Sequence, residues 1–251
     1  MQTNNEEQIY LIHGWGFDSR VMNDCILLLE KKYRTSLLDM PGYGPARTQE
    51  VPKDIDSMTD ALIRKITPGC ILAGWSLGGM IAIRMAGRLK NKIRAIVLIA
   101  STPCFSKKDG WPHGVEKTLI EKMQQRITNG ETEKVLKEFA LLIAKGDVNS
   151  RKIAKKLYSM AQNRLPDVDV LNNGLDILMN VDLRNDIAQL ECPVVLFLAD
   201  NDHLVANETG EAMKSICKDL HVVHMDSAGH APFISRPDEF CSQLNAGLMA
   251  L

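Results

Sequence analysis

The chain has 251 residues, with 30 Lys and Arg against 31 Asp and Glu and a hydrophobic share of 45%. This is the composition of a soluble globular protein long enough to hold a core without disulfides, and its balanced charge excludes a whole-molecule polyanion binder. No apolar run reaches the roughly 18 residues of a membrane span, and Met1–Gln8 lacks the basic and apolar stretches of a secretory signal, so a cytoplasmic location is expected.

Gln8–His13 reads as a strand ended by Gly14, and Ser19–Lys32 as a helix with Ser19 as its N-cap. Arg34–Asp39 is a second strand, stopped by the breakers from Pro41 to Pro45. Ile55, Met58, Leu62 and Ile66 mark one face of a helix, and Cys70–Trp75 is a third strand. Leu77–Leu89 is apolar almost all round, which predicts a buried helix, and Ile93–Ala100 is a near-continuous apolar strand of a sheet covered on both faces.

From about Phe105 to Val181 the strands stop. Val115–Ile127, Thr132–Ala144, Ser150–Asn163 and Val168–Met179 each show helical periodicity, which predicts a four-helix insertion. Strand Pro193–Ala199, helix Asn207–Cys217, strand Leu220–Met225 and helix Pro237–Met249 then restore the alternation. The expected class is α/β, a mostly parallel sheet flanked by helices. Residues 1–104 and 182–251 form the core and 105–181 a helical lid inserted into it.

Gly74-Trp75-Ser76-Leu77-Gly78 is a G-x-S-x-G sequence between a predicted strand and a predicted buried helix. That context throws a serine onto the top of a sheet as a nucleophile. A serine hydroxyl needs a base, and in this chain order an acid and then a histidine follow the nucleophile. His230 lies in a glycine-containing loop between the last strand and the last helix, where the base belongs. Asp200 and Asp202 both follow the strand Pro193–Ala199; the layout favours Asp202, which precedes His203-Leu204-Val205. His221 and His224, three apart on a strand, are expected on opposite faces. The oxyanion donors are expected from the backbone N–H groups of Leu77 and of Trp15 in His13-Gly14-Trp15-Gly16. No Cys or His spacing matches a metal site, so no metal and no cofactor is expected, and the six cysteines read as buried, reduced hydrophobes.

Gly74–Gly79, Ala100–Ser106 with Trp111-Pro112, Pro166–Leu183 and Ala228–Arg236 together resemble the carboxylesterases that demethylate pimeloyl-acyl-carrier-protein methyl ester in biotin synthesis, members of the α/β-hydrolase superfamily. The resemblance implies a Ser76, Asp202 and His230 triad, an ester site lined by Trp15 and Leu77, and a lid segment, Phe139, Ala140, Leu141, Leu142 and Ile143, that contacts the acyl chain. It also implies carrier-protein docking through basic lid residues, matched here by Lys134, Arg151 and Lys155, with Glu138 departing from the pattern. Relatives carry a longer N-terminus with an extra hairpin, so the sheet edge is expected to be shortened. Residues 107–160 hold 12 Lys and Arg against 7 Asp and Glu, while the rest of the chain holds 18 against 24. A basic lid on an acidic body fits an acidic partner. The expected protein is a monomer that binds neither nucleic acid nor membrane. The alternatives are a broad short-chain carboxylesterase without a carrier partner and, more remotely, a non-catalytic ligand-binding protein of the same fold.

Overall fold

The computed structural model describes residues 7–162 and 165–251. Six strands form one sheet: β1 (Gln8–Ile12), β2 (Arg34–Leu38), β3 (Cys70–Trp75), β4 (Ile93–Ile99), β5 (Val194–Ala199) and β6 (Leu220–Met225). All neighbours pair in parallel in the order β2-β1-β3-β4-β5-β6. Every residue of β3 and of β5 is buried, as their unbroken apolar sequences require of a sheet covered on both faces. The helices of the core are α1 (Asn23–Leu29), α2 (Ile55–Ile63), α3 (Leu77–Leu89), α8 (Arg184–Ala188), α9 (Glu208–Lys214), α10 (Pro232–Ser235) and α11 (Pro237–Met249). α1 packs on α11, and α2 and α8 pack on α3.

The strand order reverses direction between β1 and β3. Chains leaving these two strands diverge and open a crevice beyond their carboxyl ends, where ligands of open α/β sheets bind. Ile12 of β1 is level with Gly74 of β3. The loop from His13 and the turn at Ser76 therefore emerge side by side on the two banks of that crevice.

Between β4 and β5 come α4 (Lys117–Thr128), α5 (Thr132–Ala144), α6 (Ser150–Gln162) and α7 (Val168–Asn180). The ends of this insert are tied together at its stem. Leu183 N–H donates to Pro103 O at 2.8 Å, Ser106 Oγ to Met179 O at 2.6 Å, and Arg184 Nη1 to Asp109 O at 2.8 Å.

Three local expectations are revised. The predicted helix Ser19–Lys32 is a 3-10 turn, Ser19–Met22, followed by α1, which ends at Leu29. Its cap is Asp18, whose side chain accepts Arg20 N–H, while Ser19 gives both its N–H and its hydroxyl to Asp39. The loop carrying His230 runs directly into α10, which periodicity over four residues could not reveal. At the N-terminal edge β2 pairs with β1 alone among the described residues; Met1–Glu6, and Asn163 at the predicted end of α6, lie outside them.

Candidate active site

β3 ends at Trp75, and the next residue carries the sharpest backbone strain of the elbow: Ser76 has φ 53 and ψ −118. Such values are sparsely populated for a residue with a side chain and persist only where the surroundings impose them. Two glycines do so. A Cβ on Gly74 would overlap the Gly78 backbone, and one on Gly78 would overlap the carbonyls of Ile12 and His13. Without side chains the start of α3 settles directly onto the ends of β3 and β1. Ser101 Oγ donates to Ser76 O at 2.7 Å and braces the turn from β4. Leu77 is the first residue of α3, so its N–H is among the amides that a helix leaves without an intrahelical acceptor.

The histidine and its acid come from the loops after β6 and β5. His230 Nδ1 lies 2.7 Å from Asp202 Oδ2, and both side chains are 1% exposed. The other oxygen, Asp202 Oδ1, accepts Leu204 N–H at 2.7 Å and Val205 N–H at 3.2 Å. A carboxylate only accepts, so the shared proton sits on Nδ1, and in the neutral imidazole Nε2 is an acceptor. That Nε2 is buried and has no hydrogen-bond partner among the described residues. Buried polar atoms are rarely orphaned, and here the orphan is the nitrogen a base presents to a nucleophile. The expected hydrogen bond between Ser76 and Nε2 is therefore not formed in this structure; catalytic contacts of this kind often tighten only in the substrate complex. Trp75 connects the two: its indole N–H donates to His230 O at 2.8 Å, and its ring lies 5.7 Å from the imidazole.

Asp200, the other candidate acid, is 39% exposed and stands 3.5 Å from His224 Nδ1. Its carboxylate also accepts from Asn207 Nδ2 at 3.4 Å, while the imidazole of His230 is taken by Asp202. His221 and His224 are both exposed, because β6 is an edge strand, so being on opposite faces does not bury either.

In the loop after β1, His13 is fully buried. Its Nδ1 lies 2.9 Å from Gly14 O, and its Nε2 accepts Met40 N–H at 3.1 Å. Burial holds its pKa below the ordinary 6.5, which keeps the ring neutral and the loop in place. Trp15 is buried, and its indole N–H donates to Leu171 O of α7 at 2.8 Å. Its ring meets Phe139 of α5 edge-on at 4.9 Å. Phe17 lies between Phe139 (6.3 Å) and Trp75 (5.7 Å), so aromatic rings run from the insert to the imidazole.

The segment Phe139–Ile143 is helical, and its residues face different ways. Phe139 meets Trp15, and Ala140 and Ile143 are fully buried. Leu142 is half-buried beside Phe139 in a groove of about 240 Å³ between α4 and α5, and Leu141 is 56% exposed on the outer side. Lys134 is 67% exposed and pairs with Glu131 at 3.3 Å. Arg151 and Lys155 are exposed on α6. Glu138, the acidic departure, is bound by Arg126 of α4 at 2.6 Å. All six cysteines are buried free thiols. Among the described residues no three His, Cys, Asp or Glu side chains gather as a metal site would require, and no helix is long and apolar enough to cross a membrane.

Two contacts of the site carry no sequence signal. Gly229 N–H donates to Asp147 Oδ2 at 3.2 Å, and Asn201 Nδ2 donates to Gly146 O at 3.0 Å. Both join residues more than fifty positions apart.

Residues 9–243 match the alpha/beta hydrolase family model. The chain is 32% identical over 240 residues to the pimeloyl-[acyl-carrier protein] methyl ester esterase of Pectobacterium atrosepticum, covering 95% of this chain and 92% of that protein. It is also 32% identical to the esterase of the same name from Serratia marcescens, covering 98% and 95%. A hydrolase from Oleispira antarctica superposes with a TM-score of 0.87 at 17% identity, over 97% of this chain and 91% of that one. With a family match across nearly the whole sequence and a serine elbow and an acid–histidine pair gathered at the carboxyl ends of a parallel sheet, this chain belongs to the alpha/beta hydrolase family.

Proposed function

We propose that the chain is a serine carboxylesterase that releases methanol from the methyl ester of pimeloyl-acyl-carrier protein, in biotin biosynthesis. The observation that carries the chemistry is the buried Asp202–His230 pair with its unpartnered Nε2, set beside the strained Ser76 elbow. The relatives' names support the substrate.

In this reading Ser76 Oγ attacks the ester carbonyl while His230 Nε2 takes its proton. The negative oxygen is held by the N–H groups of Leu77 and Trp15. His230 then protonates departing methoxide, and a water activated by the same nitrogen hydrolyses the acyl-enzyme. Asp202 keeps the proton of His230 on Nδ1 and stabilises the imidazolium. No cofactor enters.

Residues 105–181 act as the lid. Leu119, Met123, Val135, Phe139 and Leu142 form an apolar floor for the methylene chain, and Phe139 hands it on toward Trp15. Lys122 and Arg126 stand at the rim, and Arg151 and Lys155 on α6 face an acidic carrier that stays outside. The thioester is spared because it cannot reach Ser76 while the carrier is held there. The protein works as a monomer in the cytoplasm.

The test compares a carrier-linked methyl ester with a free short methyl ester. Arg151→Glu with Lys155→Glu lowers kcat/KM for the carrier-linked substrate by about tenfold, as loss of steering charge does, and leaves the free ester within about twofold. An equal effect on both substrates removes the carrier and leaves a broad short-chain esterase. Labelling of Ser76 by a fluorophosphonate excludes a non-catalytic binding protein.

A further inference from the structure

The turn between α5 and α6 is wedged against both loops that supply the acid–base pair. His230 N–H donates to Ile143 O at 3.0 Å, and Gly229 N–H donates to Asp147 Oδ2 at 3.2 Å. Asn201, the residue before Asp202, donates its side-chain amide to Gly146 O and its backbone N–H to Ala228 O at 3.1 Å. The fit leaves no slack. A Cβ on Gly229 would come within 2.8 Å of Ile143 O and 3.1 Å of Lys145 O.

Asp147 is the unusual member. It is 6% exposed, its Oδ1 accepts Asn149 N–H at 2.7 Å, and no cation pairs with it among the described residues. Burying a carboxylate without a counter-ion is expensive, and an apolar side chain would serve packing better. Its two oxygens instead hold two backbone N–H groups, one on the insert and one on the peptide next to the base. A charged acceptor grips an N–H about twice as firmly as a neutral one and fixes its direction.

We infer that Asp147 is a positioning residue for His230: it clamps the Gly229–His230 backbone to the α5–α6 turn, so that the imidazole is aimed at Ser76 only while the insert is seated. The inference rests on the Ser76–His230 reading. It makes the insert part of the catalytic frame as well as a substrate wall. Asp147 acts through His230 and does not touch substrate.

The experiment measures the rate of fluorophosphonate labelling, which needs nucleophile and base but no acyl or carrier contact, alongside kcat and KM on a short methyl ester. Asp147→Asn keeps the shape but presents an amide N–H to one of the two donors. It is expected to slow labelling and lower kcat by about tenfold, the worth of one lost charge-assisted hydrogen bond, with KM unchanged. Asp147→Ala is expected to lose more; where it does not fold, Asp147→Asn decides alone. Labelling within about threefold of the parent, or a change in KM with kcat intact, overturns the inference. His230→Ala separates the two levels. If it still labels normally, the base assignment itself has failed; if it is inert while Asp147→Asn is fully active, only the clamp has.

Discussion

Asp202 divides its two oxygens between different tasks, one on His230 Nδ1 at 2.7 Å and the other on the N–H groups of Leu204 and Val205. The backbone pair locks the carboxylate plane, so the oxygen facing the imidazole cannot rotate away. Asp202→Asn breaks this arrangement selectively. With the amide oxygen kept on the two N–H groups, the NH2 faces Nδ1 and drives the imidazole proton to Nε2, where it can no longer accept from Ser76. The expected result is a fall in kcat of about 10³–10⁴-fold with KM little changed, read by steady-state kinetics on a short methyl ester.

Gly78→Ala has an expected sign opposite to helix propensity. At an exposed helical position the change stabilises by about 1 kcal/mol. Here the added carbon meets the Ile12 and His13 carbonyls, which are backbone and cannot rotate away. Destabilisation by about 1–3 kcal/mol or more is expected from overpacking, measured by urea unfolding, with activity lost as β1 and the elbow separate.

Glu138 sits within the basic surface and occupies Arg126. Glu138→Gln removes one negative charge and releases Arg126 from one of its two carboxylate partners. Under the carrier-docking reading, KM for carrier-linked substrate falls by about two- to threefold, the scale of an exposed ion pair, while KM for a free ester stays the same. The difference should vanish in high salt.

His13 makes the fold sensitive to mild acid. It is held neutral in the folded chain, chiefly because burial disfavours the charged ring, and its ordinary pKa is 6.5. Below that pH the unfolded chain binds a proton that the folded chain refuses. Its contribution is therefore complete above about pH 6.5 and is lost as pH falls from there through the lowered folded value, at up to about 1.4 kcal/mol per pH unit. His13→Gln, which keeps an acceptor for Met40 N–H and cannot titrate, is expected to flatten the loss between pH 6.5 and 5.5 in denaturant titrations.

Much of the architecture can be read along the chain, because it depends on neighbours in sequence. β3, β6, α3, α5 and α11 fall where apolar period and breakers place them, and Gly74-Trp75-Ser76-Leu77-Gly78 marks the elbow, since its glycines answer a local need for close backbone approach. Asp202 and His230 are readable as candidates for the same reason, each standing just after a strand. The layout before His203-Leu204-Val205 already favours Asp202 over Asp200, but the 2.7 Å contact with the imidazole depends on where the loops after β5 and β6 meet. The same holds for the way helical rotation spreads Phe139 to Ile143 over different faces, for Arg126 neutralising Glu138 across two helices, and for Asp147 reaching Gly229 across 82 positions. Short-range periodicity reports which residues are buried; which buried groups share a hydrogen bond is settled by packing between distant segments, and the proposed chemistry rests on those shared bonds.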